Sequence, residues 1–137
     1  MKRLPTALLT LAALAMALPA QARNKKDPAE ICAEAETRYQ EIYGAPSSEA
    51  EGVTVVTMYK YQFCPREITV PVGTTVRWVN VDKRTSHSVK VGTDPESDRA
   101  FPEEHIEFTF LLPGPQDYIC GPHWESHDMI GMVTVTE

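Results

Sequence analysis

The C-terminal part of the chain, residues 53–137, is a series of short runs rich in β-branched and aromatic residues. Such runs predict β-strands, and Gly73 and the segment Pro-Gly-Pro at residues 113–115 predict turns between them. The predicted strands are Val53–Tyr61, Glu67–Val72, Thr75–Val81, His87–Val91, Ile106–Leu111, Asp117–Cys120 and Ile130–Thr136. About seven short strands in a segment of this length are typical of a β-sandwich, so we expect an all-β domain over residues 53–137.

The N terminus has the features of a secretory signal peptide. Lys2 and Arg3 give a positive start, Ala7–Leu18 is an apolar run, and residues 20–22 (Ala-Gln-Ala) match a cleavage site. We therefore expect residues 1–22 to be a signal peptide that is cut before Arg23. Export places the mature chain in an oxidising compartment, most simply the periplasm of a bacterium.

Residues 23–52 are predicted to form a linker and an amphipathic helix in front of the β domain. Asp27 is a good helix cap, Pro28 suits the first helical position, and Gly44 is a typical helix end. Apolar residues recur between them at near-helical spacing, at Ile31, Ala35, Tyr39 and Ile42. The predicted helix is Pro28–Tyr43.

Charge and composition exclude several classes of protein. The formal net charge is -6, whereas a protein that binds nucleic acid through its phosphates usually carries the opposite sign. A hydrophobic content of 42% argues against intrinsic disorder. No apolar run approaches the ~20 residues that a membrane-spanning helix needs, so we expect no integral membrane segment after signal cleavage.

The segment from Cys120 to Met132 concentrates side chains that bind transition metals. It holds a thiol, two imidazoles and two thioethers within 13 residues, between two predicted strands. A further histidine, His87, opens an earlier predicted strand. Two histidines, one cysteine and a weakly bound methionine are the ligands of a blue-copper electron-transfer site. Thiolate and thioether sulfur suit Cu(I) and imidazole suits both oxidation states, so such a site moves little when it gains or loses an electron.

These segments resemble the cupredoxins, the type 1 blue copper proteins, and in particular their plastocyanin, amicyanin and pseudoazurin group. The resemblance is carried by Phe63–Asn80, Thr85–Val89, Tyr118–His123 and Met129–Val135. It implies a Greek-key β-sandwich of about seven strands over residues 53–137, with one copper ion per chain. The implied copper ligands are His87, Cys120, His123 and Met129. Ser88, where the family more often has asparagine, is expected to tie the two ligand segments together.

The spacing in the last ligand segment departs from the family pattern. Related loops place four residues between the second histidine and the methionine, whereas Trp124–Asp128 makes five, and one of these is His127. Three interpretations stay open. Met129 binds copper from a bulged loop, or His127 adds to it or replaces it in a more tetragonal red-copper site, or Met132 binds. Met132 is disfavoured because it alternates with Val133 along the predicted strand and so points outward.

The remaining cysteines are predicted to form a disulfide bond. Once the resemblance assigns Cys120 to copper, Cys32 and Cys64 are left to pair with each other. The alternative is two unpaired buried thiols, which are less common in an oxidising compartment. The disulfide would join the predicted helix to the first strands.

The resemblance implies an electron carrier, not an enzyme. The electron would leave through the exposed edge of His123, and Trp124 would give a flat apolar contact for a redox partner such as a cytochrome c or an oxidoreductase. The acidic chain would be steered towards a basic docking surface, and we expect a monomer. Two other functions stay open. One is a copper chaperone or resistance protein, and the other is a small copper enzyme that uses His127.

Overall fold

The structure is a computed structural model, and it describes residues 25–137. The predicted signal peptide, residues 1–22, lies outside the described residues. The described part consists of an N-terminal α-helix followed by a β-sandwich. None of the helices in residues 25–137 is long and apolar enough to cross a membrane.

Helix α1 (Pro28–Tyr43) has the predicted bounds. The Asp27 carboxylate accepts a hydrogen bond from the Ala29 N–H at 2.9 Å, which satisfies one of the free N–H groups at the start of the helix. Gly44 has a φ of 76°, in the left-handed region that glycine enters without steric cost, and its N–H donates to the Gln40 carbonyl. The two ends are therefore set by local chemistry.

Within residues 25–137, eight strands form two four-stranded sheets. The strands are β1 (Thr54–Tyr59), β2 (Gln62–Cys64), β3 (Glu67–Pro71), β4 (Thr75–Asn80), β5 (Lys90–Val91), β6 (His105–Thr109), β7 (Gly114–Ile119) and β8 (Ile130–Thr136). The first sheet has the order β2-β1-β4-β6 and the second has the order β3-β8-β7-β5. Several neighbours, such as β1 with β4 and β3 with β8, are distant in sequence, so the chain crosses repeatedly between the sheets. The predicted β-sandwich is confirmed.

The predicted strand Val53–Tyr61 is wrong at its C-terminal end. β1 stops at Tyr59, and Lys60 and Tyr61 follow with positive φ values of 46° and 61°. This two-residue turn leads into β2, a strand that was not predicted and that pairs antiparallel with β1. Lys and Tyr rarely take positive φ, so these two residues give no turn signal in the sequence.

The predicted strand His87–Val91 is shorter in the structure. Only Lys90–Val91 forms β5, which pairs with β7. His87 instead forms an isolated bridge with Ala100, in which each N–H donates to the carbonyl of the other residue. His87 is therefore fixed by its backbone although it lies outside a regular strand.

β6 and β7 also differ from their predicted bounds. β6 is His105–Thr109 rather than Ile106–Leu111, and β7 is Gly114–Ile119 rather than Asp117–Cys120. β7 is longer than predicted because it pairs with β8 along its whole length, starting at Gly114. The predictions for β3, β4 and β8 agree with the structure to within one residue.

The main hydrophobic core lies between the two sheets. It contains the largest fully buried side chains, which are Trp78, Tyr118, Phe63, Phe110, Met58 and Met129. Cys120 belongs to the same core and is also fully buried. The packed interior of the sandwich therefore extends to the segment that was predicted to bind metal.

A second, smaller core lies between α1 and the first sheet. Ala35 and Tyr39 of α1 are buried against this sheet together with Val79 of β4. The neighbouring Trp78 points into the main core, since successive residues of a strand face opposite sides. Helix α1 therefore covers the outer face of the first sheet as a third layer. The predicted disulfide Cys32–Cys64 is present and joins α1 to β2 at this core.

Candidate metal centre

The four predicted ligands come from two connections of the sandwich. His87 lies between β4 and β5. Cys120 directly follows β7, His123 precedes the short helix α2 (Trp124–His127), and Met129 directly precedes β8. The Cys120 N–H donates to the Met129 carbonyl at 3.0 Å, so the pairing of β7 with β8 continues to these two residues.

His87, Cys120 and His123, which we call the His-Cys-His group, bring their ligand atoms together. The Cys120 Sγ is 3.7 Å from Nδ1 of His87 and 3.3 Å from Nδ1 of His123. One ligand atom from each of the three residues lies within 4.8 Å of the others. His87 and Cys120 are fully buried and His123 is half-buried. One sulfur and two imidazole nitrogens thus face a single small volume that could hold a metal ion.

Met129 lies next to the His-Cys-His group. Its side chain is fully buried in the main core, which also contains Cys120. Its N–H donates to the His123 carbonyl at 3.4 Å, and its carbonyl accepts the hydrogen bond from Cys120. The backbone of Met129 is therefore tied to two members of the group.

The extra residue of the last ligand segment is accommodated in α2. The His127 N–H donates to the His123 carbonyl at 3.0 Å, which closes the helical turn, and Asp128 follows with a φ of 52°. The His127 side chain is exposed, and it is not part of the His-Cys-His group. Its ring instead stacks on Tyr61, with centroids 3.7 Å apart and an angle of 17° between the ring planes.

Met132 lies within β8, away from the loops that carry the group. Val133 and Val135 are buried, whereas Met132 and Thr134 are partly exposed. This alternation places Met132 on the face of β8 opposite the main core, as predicted from the sequence.

The sequence profile of the copper-binding proteins of the plastocyanin/azurin family matches residues 50–136. The chain belongs to this family. The cupredoxin resemblance is thereby confirmed, and the protein binds one copper ion per chain. Helix α1 precedes the matched residues, so the third layer of the fold lies outside the family profile.

Solved structures of amicyanin are similar to this copper-binding protein. A reduced tryptophan-to-tyrosine variant of amicyanin is 29% identical, with a TM-score of 0.57. A reduced Cu(I) form of a proline-to-glycine variant at pH 4 is 30% identical, also with a TM-score of 0.57. Each match covers 66% of this chain and 89% of the amicyanin chain. A comparison with curated proteins gave no match.

A buried carboxylate holds the ring nitrogen of His87 that does not face Cys120. The His87 Nε2 lies 2.6 Å from Oδ2 of Asp82, which is only 7% exposed. An ionised carboxylate can only accept a hydrogen bond, so Nε2 carries the proton and Nδ1 is left to face Cys120. Histidine ligands of metals are commonly oriented by such a partner. Sequence reasoning missed Asp82, because the irregular segment between β4 and His87 has no periodicity that would place its side chains.

Ser88 ties the two connections together, as predicted. The Gly121 N–H donates to the Ser88 Oγ at 3.0 Å, and Ser88 is fully buried. This hydrogen bond fixes the residue after Cys120 against the residue after His87. The two loops of the site are therefore linked independently of a metal ion.

Tyr61 covers the His-Cys-His group from the turn between β1 and β2. Its ring lies edge-on to His123, with centroids 4.9 Å apart, and edge-on to His87 at 6.4 Å. Sequence reasoning missed this contact because the turn itself was not predicted. The aromatic ring restricts the space in which the two imidazoles can move.

Burial and hydrogen bonds set the protonation of the group. Burial raises the pKa of the Cys120 thiol above its ordinary 9.0, and hydrogen bonds from Ser88 and from the His123 N–H oppose this rise. Burial, followed by the neighbouring imidazoles of His87 and His127, lowers the pKa of His123 below its ordinary 6.5. At neutral pH the metal-free site therefore holds a thiol and a neutral His123. Coordination needs the thiolate, so metal binding releases a proton.

The donor atoms of the site fit copper. A thiolate and imidazole nitrogens suit Cu(I), and imidazole also suits Cu(II). Met129, whose buried side chain shares the main core with Cys120, would add a thioether as a further soft donor type. The residues present are therefore consistent with the copper that the family binds.

Proposed function

We propose that this protein is a periplasmic electron carrier in which His87, Cys120, His123 and Met129 hold one copper ion. The observation that carries the proposal is the His-Cys-His group, in which the Cys120 sulfur faces Nδ1 of both histidines at 3.7 and 3.3 Å. Bound copper supplies a one-electron couple between Cu(I) and Cu(II). The chain supplies ligands that suit both oxidation states.

The frame around these ligands supports electron transfer because it resists movement. Asp82 holds His87 at Nε2, and the Met129 carbonyl holds the Cys120 N–H. Ligands that are locked by packing and by outer hydrogen bonds keep one geometry. A site that changes little between its two oxidation states needs little reorganisation for each electron that it takes or gives.

In this proposal the fourth copper ligand would be Met129, rather than His127. Met129 is buried in the main core that also contains Cys120, and its backbone is tied to both Cys120 and His123. His127 is exposed, stacked on Tyr61 and engaged through Nδ1 with the Ser126 hydroxyl at 2.7 Å. A His127 ligand would have to leave its stack on Tyr61 to reach the Cys120 sulfur.

The surface beside His123 is the proposed contact for a redox partner. His123 is half-buried, and the adjacent Trp124 is 43% exposed although its ring is large and apolar. An exposed aromatic ring of this kind is typical of protein contacts. The formal charge of -6 favours a partner with a basic docking surface, such as a cytochrome c or an oxidoreductase. The transfer rate should then fall as ionic strength rises.

Two features support export to the periplasm. The Cys32–Cys64 disulfide fits an oxidising compartment, and residues 1–22 have the pattern of a signal peptide. We further propose that the carrier acts as a monomer and turns over no substrate. The burial of His87 and Cys120, with Tyr61 over the imidazoles, favours a closed electron-transfer site over an open catalytic one.

The proposal is tested by visible absorption and EPR of the copper-loaded protein without its predicted signal peptide. We expect an intense thiolate-to-copper band with narrow copper hyperfine splitting. Cys120→Ala should abolish the band, Met129→Ala should shift it, and His127→Ala should leave it in place. Met132→Ala is the matched control for loss of a thioether and should also leave the spectrum unchanged.

Other outcomes would contradict this proposal or favour a different function. A tetragonal spectrum that turns blue in His127→Ala would make His127 a ligand and favour a red-copper site. Rapid release of Cu(I) to an acceptor, together with slow electron exchange, would identify a copper chaperone or resistance protein. The absence of a thiolate band would refute the proposed ligand set.

A further inference from the structure

Ser88 and Glu96 form a hydrogen-bonded pair beside the proposed copper ligands. The Ser88 Oγ lies 2.5 Å from Oε1 of Glu96, and the same Oγ accepts the Gly121 N–H at 3.0 Å. We infer that Glu96 is a positioning residue of the metal centre, because it fixes the direction of the Ser88 hydroxyl and thereby holds the loop that carries Cys120 and His123. This inference rests on the proposed function and names a residue that tunes the same site.

The hydroxyl of Ser88 has a single proton, so the direction of the O–H bond decides which acceptor receives its hydrogen bond. A hydrogen bond to an ionised carboxylate is short and strong, as the 2.5 Å separation from Glu96 indicates. When the proton points to Glu96, the lone pairs of Ser88 are left for the Gly121 N–H. Glu96 therefore keeps Ser88 in the state that binds the loop after Cys120.

The direction of the Ser88 hydroxyl also affects the sulfur of Cys120. The Ser88 hydroxyl is bonded to Gly121, the residue next to Cys120, so it lies beside the segment that carries this sulfur. Without Glu96 the hydroxyl would be free to turn towards Cys120. A hydrogen bond to the thiolate withdraws electron density from sulfur, which favours Cu(I) over Cu(II). Glu96 thus keeps the reduction potential low.

Two features place the Glu96 carboxylate where it acts. The Ser97 N–H donates to the Val89 carbonyl, and the Val89 N–H donates to the Ser97 Oγ, each at 3.0 Å. These bonds fix the backbone next to Glu96. At the other end, a β-carbon on Gly121 would lie 1.9 Å from Oε1 of Glu96. The carboxylate therefore fills the space that a side chain at residue 121 would need.

The hydrogen-bond chain is tested first in the metal-free protein, by amide hydrogen exchange of Gly121. Glu96→Ala leaves the Ser88 hydroxyl free to rotate, which weakens the hydrogen bond that this amide donates to it and should speed exchange of the amide about tenfold. Asp94→Ala is the matched control, because it removes an exposed carboxylate from the same connection. It should leave the exchange unchanged. This measurement does not depend on copper.

The tuning is tested by the reduction potential of the copper-loaded protein. Glu96→Ala should raise the ratio of Cu(I) to Cu(II) affinity about tenfold, which corresponds to a rise of about 59 mV for one electron. In the Ser88→Ala background, Glu96→Ala should raise the potential by less than about a third of that amount, because no hydroxyl remains to turn. Gly121→Ala should shift the potential in the same direction as Glu96→Ala, since it displaces the carboxylate and keeps its charge.

Three results would overturn the inference. Unchanged Gly121 exchange in Glu96→Ala would show that Glu96 does not hold the loop. Equal potential shifts with and without Ser88, or a shift in Asp94→Ala as large as that in Glu96→Ala, would show that Glu96 acts only through its charge. By contrast, the absence of a thiolate-to-copper band in the unaltered protein would refute the proposed copper site, while the exchange of Gly121 would still test the hydrogen-bond chain.

Discussion

Tyr61 stacks face to face on His127, with ring centroids 3.7 Å apart, and makes an edge contact with His123, with centroids 4.9 Å apart. The extra residue of the ligand loop therefore brings a third imidazole near the site without turning it towards Cys120. Two unusual local structures make this possible: Tyr61 has a positive φ in the β1–β2 turn, and His127 ends a single turn of helix. The two stacked rings both pack against His123.

His127→Ala should leave the thiolate-to-copper band and the hyperfine splitting unchanged. It should lower the free energy of unfolding by about 1 kcal/mol, because the aromatic stack is lost. Denaturant unfolding of the metal-free protein measures this loss. Tyr61→Phe is the matched control, since it keeps the ring and should keep the stability. A changed copper spectrum in His127→Ala would contradict the assignment of Met129, rather than His127, as the fourth ligand.

Asp82→Ala should weaken copper binding by about ten- to a hundredfold. The Asp82 carboxylate accepts the Nε2 proton of His87 at 2.6 Å, and partners of this kind fix both the tautomer and the orientation of the ring. Competition with a chelator of known affinity gives the change. Asp98→Ala, which removes an exposed carboxylate, should bind copper as the unaltered protein does. Equal affinities of the two variants would show that His87 needs no carboxylate partner.

Much of the fold could be predicted because local chemistry sets it. Asp27, Pro28 and Gly44 fix the ends of α1, and the alternating apolar residues of β4 and β8 identify those strands. The turn at Lys60 and Tyr61 could not be predicted, because neither residue favours positive φ. Tertiary pairing imposes that conformation, and the sequence therefore does not reveal β2.

The metal site, like the fold, could be predicted only in part from the sequence. The residue types and spacing around Cys120 predicted which side chains would meet, and the structure brings His87, Cys120 and His123 together. The residues that support them were not predicted, apart from Ser88. Asp82 and Glu96 act across connections without regular structure, where no periodicity indicates which way a side chain points. Their roles depend on how separate loops approach each other.

Removal of the disulfide by the paired substitutions Cys32→Ala and Cys64→Ala should lower the free energy of unfolding by about 3–4 kcal/mol. The bond closes a loop with a sequence separation of 32, and its loss restores conformational freedom to the unfolded chain. Denaturant unfolding of the metal-free protein gives the value. The copper spectrum should be unchanged, because the bond lies at the core between α1 and the first sheet. A lost thiolate band would instead mean that the disulfide shapes the metal site.

Glu36→Gln should destabilise the protein at neutral pH and have little effect in strong acid. Burial acts to raise the pKa of Glu36, but hydrogen bonds from the Ser47 hydroxyl, the Gln40 amide and the Ser47 N–H outweigh it and lower the pKa below its ordinary 4.5. The folded state therefore binds this proton less readily than the unfolded state. The stabilisation is fully present above pH 4.5 and is lost as the pH falls through the folded pKa.

Free energies of unfolding of both proteins between pH 7 and about pH 2 should converge at the acid end, whereas the exposed control Glu30→Gln should show no such gap. A difference between Glu36→Gln and the unaltered protein that stays constant over this range would mean that the ionised carboxylate does not hold Ser47 to α1.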